Sequence, residues 1–129
     1  MLLDPTCPFR DEIVINEVVE CIEQNPKAKS VLTVKAATHH PLRMNILPED
    51  HSLKGFTPDE VRFKNRQELP VYYELCGSAC IAEWEHFKEE GSFLTPLAFA
   101  CITDEVKGHD IDTLQEFLLA EVYLKTCYH

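Results

Sequence analysis

Glycine is scarce in this chain, four residues in 129, and each stands alone. No Gly-rich loop that could wrap backbone amides around a phosphate is therefore legible. Long apolar runs are missing as well. The longest, residues 97–102 (LAFACI), falls far short of the roughly 20 residues that cross a bilayer. The opening Met-Leu-Leu-Asp-Pro has no basic stretch ahead of an apolar one, which predicts no export signal. No Asn-x-Ser/Thr sequon, internal repeat, heptad seam or low-complexity tract occurs. With a single Trp and few aromatics among the basic residues, a base-stacking platform is poorly supported. Together these absences predict a cytoplasmic protein that neither spans a membrane nor binds nucleic acid.

What is present is a sorted charge. Residues 1–25 carry a net −5, residues 26–67 a net +4 and residues 68–129 a net −9, which together give the formal −10. A basic middle that also holds His39, His40 and His51 thus lies between two acidic arms. Such a particle repels polyanions as a whole. Six cysteines (7, 21, 76, 80, 101 and 127) would suit a disulfide framework only in a secreted protein. Without an export signal they read as reduced thiols packed as small hydrophobes.

The length suits one globular domain spanning 1–129. Val14, Val18, Cys21 and Ile22 recur at helical spacing, and Asp11 with Glu12 opens that helix over 11–24. Ser30–Ala37 alternates as a strand, and 42–47 supplies a second, so a β-hairpin is expected. Thr57-Pro58-Asp59-Glu60 reads as a helix start with Thr as cap and Pro in the first turn. The spacing of Tyr73, Cys76, Cys80, Trp84 and Phe87 predicts a helix over 70–90. Residues 97–107 fit either a helix or a buried strand, and helix is the narrow preference. Asp112 and Gln115 make a capping pair for a last helix over 112–127. The sum is an α+β fold, helix-dominated with four to five helices and one short β-hairpin.

On a helix, Cys76 and Cys80 would present two sulfurs one turn apart, half of a tetrahedral zinc site. His39, His40 or Cys101 could complete it. Arg62, Lys64 and Arg66 form a candidate anion-binding patch. His109-Asp110 with Asp112 resembles the metal-binding pairs of metal-dependent hydrolases, although helix capping explains the acids equally well. Glu83, Glu85, Glu89 and Glu90 crowd the end of the expected 70–90 helix, where they oppose its dipole. That placement has no local benefit and suggests an external basic partner.

No catalytic fingerprint accompanies these features. The sequence therefore leans away from an enzyme. It favours a small acidic interaction module, a regulator or inhibitor whose acidic helix faces meet a protein partner with a basic surface, with no cofactor. The alternatives are a zinc-stabilised module whose basic segment contacts phosphates, and a metal-dependent hydrolase using His and Asp. Oligomeric state is not encoded legibly.

Overall fold

The computed structural model describes residues 1–127, Arg66 by its backbone alone. Its described residues form four α-helices and a three-stranded mixed sheet, about 34% helix and 18% strand. This corrects the helix-dominated body with a hairpin. The elements run α1 (Glu12–Gln24), β1 (Ser30–Ala36), α2 (Asp59–Arg62), β2 (Tyr73–Ala82), α3 (Trp84–Glu90), β3 (Ala98–Ile102) and α4 (Leu114–Cys127).

Helix α1 forms as its pattern demands. The Asp11 carboxylate accepts the Val14 N–H at 3.1 Å, satisfying one of the donors left open at any helix start. Val14 and Val18 on its inner side are fully buried. Strand β1 is buried through its first five residues, as a strand covered on both faces must be. It occupies the middle of the sheet, in the order β2-β1-β3, and runs parallel to β3 with Ser30 opposite Ala98 and Val34 opposite Ile102.

Three expectations fail here, each for a non-local reason. The hairpin is absent: Pro41–Arg43 makes one turn of 3-10 helix, and residues 44–48 have no regular structure. Pro41 brings no N–H to a ladder, and Met44, Ile46 and Leu47 stay exposed. The partner of β1 comes instead from β2, far along the chain. Residues 73–82 are that strand rather than the front of a helix. Their small side chains have weak preferences, and ladder bonds on two sides decide the outcome. Leu2 bridges antiparallel to Cys80, while the buried Thr33 hydroxyl of β1 accepts the Ala79 N–H at 3.1 Å and has the carbonyls of Cys76 (2.9 Å) and Ala79 (3.1 Å) of β2 as acceptors for its one proton. Residues 98–102 are likewise a strand, β3, and not a helix.

Other boundaries shift slightly. Helix α2 spans only four residues, with Pro58 at its cap position and no side-chain capping bond. Helix α4 is capped by Thr113 and Glu116, one residue after the expected pair. The Thr113 hydroxyl accepts the Glu116 N–H at 3.3 Å, and the Glu116 carboxylate accepts the Thr113 N–H at 2.7 Å, a reciprocal capping box. No helix among the described residues is long and apolar enough to cross a membrane.

The chain divides into two compact units, Met1–Lys35 with the chain from Leu75, and Ala36–Glu74. The first holds the sheet and the main core, in which Val14, Val18, Ala28, Val31, Ala79 and Cys101 pack together with Cys21, Ile22 and Ile81 against them. The second is built from α2, two single 3-10 turns and irregular chain.

Candidate functional site

In open sheets with parallel strands, ligands gather beyond the strands' carboxyl ends, where loops can be varied without disturbing the core. Here that position is taken by the loop 103–113 between β3 and α4. Its first residue is tied to β1, the Thr103 N–H donating to Val34 O at 2.8 Å. Asp104 then turns the chain, its carboxylate accepting the Lys107 N–H at 2.8 Å and its carbonyl the Gly108 N–H at 3.0 Å.

Gly108 sits in close quarters. A Cβ there would stand 3.1 Å from Asp104 O, 3.1 Å from Lys35 Cδ and 3.2 Å from Cys76 Sγ, tighter than ordinary contact allows. The loop therefore lies directly on the end of β1 and the middle of β2.

The N-terminal segment closes the site from another side. Asp4 accepts both the backbone N–H (3.2 Å) and the hydroxyl (2.8 Å) of Thr6, so its carboxyl is held below the usual range chiefly by the Thr6 hydroxyl. The Arg10 guanidinium donates to the carbonyls of Asp4 and Ser78. The Ser78 hydroxyl donates to Lys107 O, and the Ile111 N–H to Thr6 O at 3.0 Å. Gly77 is again a matter of space, because a Cβ there would meet Asp4 Cβ at 2.7 Å.

Several charged groups face this junction. Lys107 pairs with Asp11 at 3.1 Å, both side chains largely covered. Asp11 is held below the ordinary carboxylate range, first by the Val14 N–H and then by Lys107. Lys107 is raised by its bond to Asp11. Asp110 is half-buried with Oδ1 3.8 Å from Cys7 Sγ. The Cys7 thiol has no exposed surface, and burial with the nearby Asp110 charge pushes it up to about 11. A thiol so raised is a poor nucleophile at neutral pH. Asp112 is exposed. Asp110 Oδ1 also accepts the Ile111 N–H at 3.1 Å, so of this pair, with one residue between them, Asp112 is the exposed carboxylate and Asp110 the partly engaged one. That donor set suits a hard divalent cation shared with phosphate oxygens, which needs only one or two carboxylates from the protein.

His109, Asp110 and Asp112 fall in this loop, whereas the other residues singled out from sequence are placed elsewhere. Cys76 and Cys80 lie on strand β2 and not on a helix. The helical premise of a shared zinc ion is overturned, and no group of three or more His, Cys, Asp or Glu able to hold a metal forms among the described residues. None of the six cysteines is disulfide-bonded.

His39 and His40 belong to the second unit. His39 is exposed, and the His40 ring accepts the Leu42 N–H through Nδ1 at 3.3 Å and lies edge-on to Tyr72. Arg62 leans over the Phe63 ring and reaches Asp59 at 3.9 Å. Lys64 is exposed, and the Arg66 side chain lies outside the described residues.

The acidic run also changes meaning. With α3 confined to Trp84–Glu90, Glu83 and Glu85 sit at its N-terminus and complement the dipole. Only Glu89 and Glu90 oppose it. Glu83 is further engaged by Lys29 at 2.8 Å, and Glu85 by Lys88 at 3.4 Å.

Sequence reading missed Asp4, Arg10, Lys35 and Lys107. The available signal was Asp4-Pro5-Thr6 followed by Pro8 and Arg10, a turn-rich segment carrying charge.

No family model matches the chain. It is 30% identical over 119 residues to the N-acylneuraminate cytidylyltransferase of Escherichia coli O18:K1:H7 (strain RS218 / NMEC), a match covering 92% of this chain and 28% of that protein. The chain therefore spans little more than a quarter of the length of the curated relative it resembles.

Proposed function

We propose that this chain contributes to a nucleotidyl-transfer site, and that the group transferred is cytidylyl and the acceptor an acidic sugar of the N-acylneuraminate class. The observation that carries the reading is the likeness to a cytidylyltransferase over 92% of the chain. In such a transfer an acceptor hydroxyl oxygen bonds to the α-phosphorus of CTP, the bond to the bridging oxygen breaks, and pyrophosphate leaves. A divalent cation held by Asp110 and Asp112 would neutralise phosphate charge.

The chain's own residues have distinct tasks in this reading. Asp110 and Asp112 supply the oxygen donors. Lys35, at the carboxyl end of β1, brings positive charge beside Gly108. Gly108 keeps the loop low enough for substrate to approach the strand ends. Arg10 holds Asp4 and Ser78 together and shapes the floor.

The test is cytidylyl transfer from CTP to N-acetylneuraminate, followed by pyrophosphate release, alongside CTP binding by calorimetry. Asp110→Asn is expected to lower kcat/KM by about a hundredfold or more, the scale of removing one electrostatic stabiliser. Failure to bind CTP in the presence of Mg²⁺ rejects the reading.

A second reading, the acidic module facing a basic protein surface, is favoured by one feature. Trp84 is 69% exposed at the start of α3, next to exposed Glu85, and exposed Trp is typical of interface anchors. Complexes of this kind weaken as salt rises. Charge reversal at Glu85, Glu89 and Glu90 that leaves association unchanged would remove it.

A further inference from the structure

We propose that Glu116 and His109 form a clasp that positions the Asp110 and Asp112 backbone for binding a cation together with nucleotide phosphate, an inference that rests on the cytidylyl-transfer reading. His109 is 5% exposed, and its Nε2 lies 2.9 Å from Glu116 O. A carbonyl only accepts, so Nε2 carries the proton, and in the neutral ring Nδ1 is left as the acceptor. Tyr123, edge-on at 5.3 Å between centroids, and Phe9 at 6.4 Å hold the ring plane.

The same glutamate grips the other side of the pair. Glu116 Oε2 accepts the N–H of Asp112 at 2.9 Å and of Thr113 at 2.7 Å, and the Thr113 hydroxyl at 2.7 Å. Between these two grips the Ile111 N–H is shared between Thr6 O at 3.0 Å and Asp110 Oδ1 at 3.1 Å, which leaves the other Asp110 oxygen for the cation. The backbone is therefore pinned immediately before Asp110, between the two acids, and at Asp112 itself. Two carboxylates one residue apart repel each other, and a slack loop would let them separate. The clasp opposes that separation without engaging the Asp112 carboxylate. His109 and Glu116 are positioning residues in this scheme.

Outer partners of this kind change metal affinity by about 10–100-fold. Three proteins decide the matter: wild type, His109→Leu, which removes the donor but keeps bulk, and His109→Gln, which restores an N–H at similar reach. Amide exchange at Asp112 and Thr113 reads the clasp, and the free Mn²⁺ signal by electron paramagnetic resonance, titrated in the presence of CTP, reads its consequence.

The expected result is faster exchange and about tenfold weaker Mn²⁺ binding in His109→Leu, with most of both losses recovered in His109→Gln. Unchanged exchange overturns the clasp. Faster exchange with wild-type Mn²⁺ affinity overturns its positioning role. A wild-type protein that takes no Mn²⁺ with CTP overturns both this role and the cytidylyl-transfer reading, while amide exchange still tells whether the clasp exists. Should His109→Leu fail to fold, Glu116→Ala replaces it, removing the side-chain acceptor of the Asp112 and Thr113 N–H groups, with the same two losses expected.

Discussion

The two compact units differ most in how their apolar residues are used. In the first, Val14, Val18 and Val31 lose all exposure, because helix α1 and the sheet give each a facing partner. In Ala36–Glu74 only Val61 and Leu69 reach burial among the described apolar residues, while Ile46 remains 90% and Phe63 87% exposed. Both segments contain strand-like or helix-like patterns. Only the first turns them into long elements, since a segment below ~40 residues rarely closes a core of its own. Pattern proposes an element, and a partner surface decides whether it forms.

The sharpest way to break this contrast is a charge in each unit. Val18→Asp should unfold the protein, costing more than about 4 kcal/mol for an unpaired buried charge. Ile46→Asp should move the urea midpoint hardly at all. Comparable losses would mean that Ile46 carries stability its exposure denies.

Ionisation probes the first unit without mutation. Cys7 and Cys101 are raised by burial from 9.0 to about 11. Their folded forms hold protons more tightly than the unfolded chain. That stability is complete below about pH 9 and is lost as pH rises toward 11. Asp4, Asp11 and Glu116 are lowered instead, so their contribution is present above about pH 4 and fades as pH falls further. A thermal midpoint followed across pH should drop at both ends. Cys101→Ala should blunt the alkaline limb and Asp11→Asn the acid one, and limbs left unaltered would contradict the assignment.

Two glycines sharpen the comparison further. Gly77→Ala forces a Cβ against Asp4 and should cost about 1–3 kcal/mol. Gly55 has φ +71° and open space around it, so Gly55→Ala costs only the left-handed backbone, about 1–2 kcal/mol. Chemical denaturation should rank Gly77→Ala as the more harmful.

Smallest of all is the capping pair. Thr113→Ala removes a hydroxyl that both donates and accepts at the start of α4, costing about 1 kcal/mol. Thr57→Ala, at a Thr-Pro start where no side-chain cap forms, should cost nothing measurable. Equal losses would show that α2 is capped after all.

Legibility of the fold follows the same division between local and distant causes. Helix α1 could be read because Asp11, Val14 and Val18 act within one element, and β1 because its alternation needs no knowledge of its neighbours. Helix α4 was readable to within a residue at its start. Strand β2 was not. Tyr73, Cys76, Cys80, Trp84 and Phe87 mimic helical spacing, while Gly77, Ser78 and Ala79 state little preference of their own. A helix over 73–82 would have no strand ends, and without them the loop 103–113 has no address that makes it a candidate site. His109, Asp110 and Asp112 were noticed as a group, but what gives them a role is contact with Cys7, Thr6 and Tyr123, all invisible to spacing.

By itself the amino-acid order determined the charge layout, helix α1 with its cap, strand β1 and the last helix, since each depends on groups only a few residues apart. Tertiary structure alone decided that 73–82 and 98–102 are strands, that the loop between β3 and α4 lies against the N-terminal segment, and that Glu116 grips both sides of Asp110. Those outcomes turn on hydrogen bonds and close packing between residues tens of positions apart, for which a single chain of letters carries no local mark.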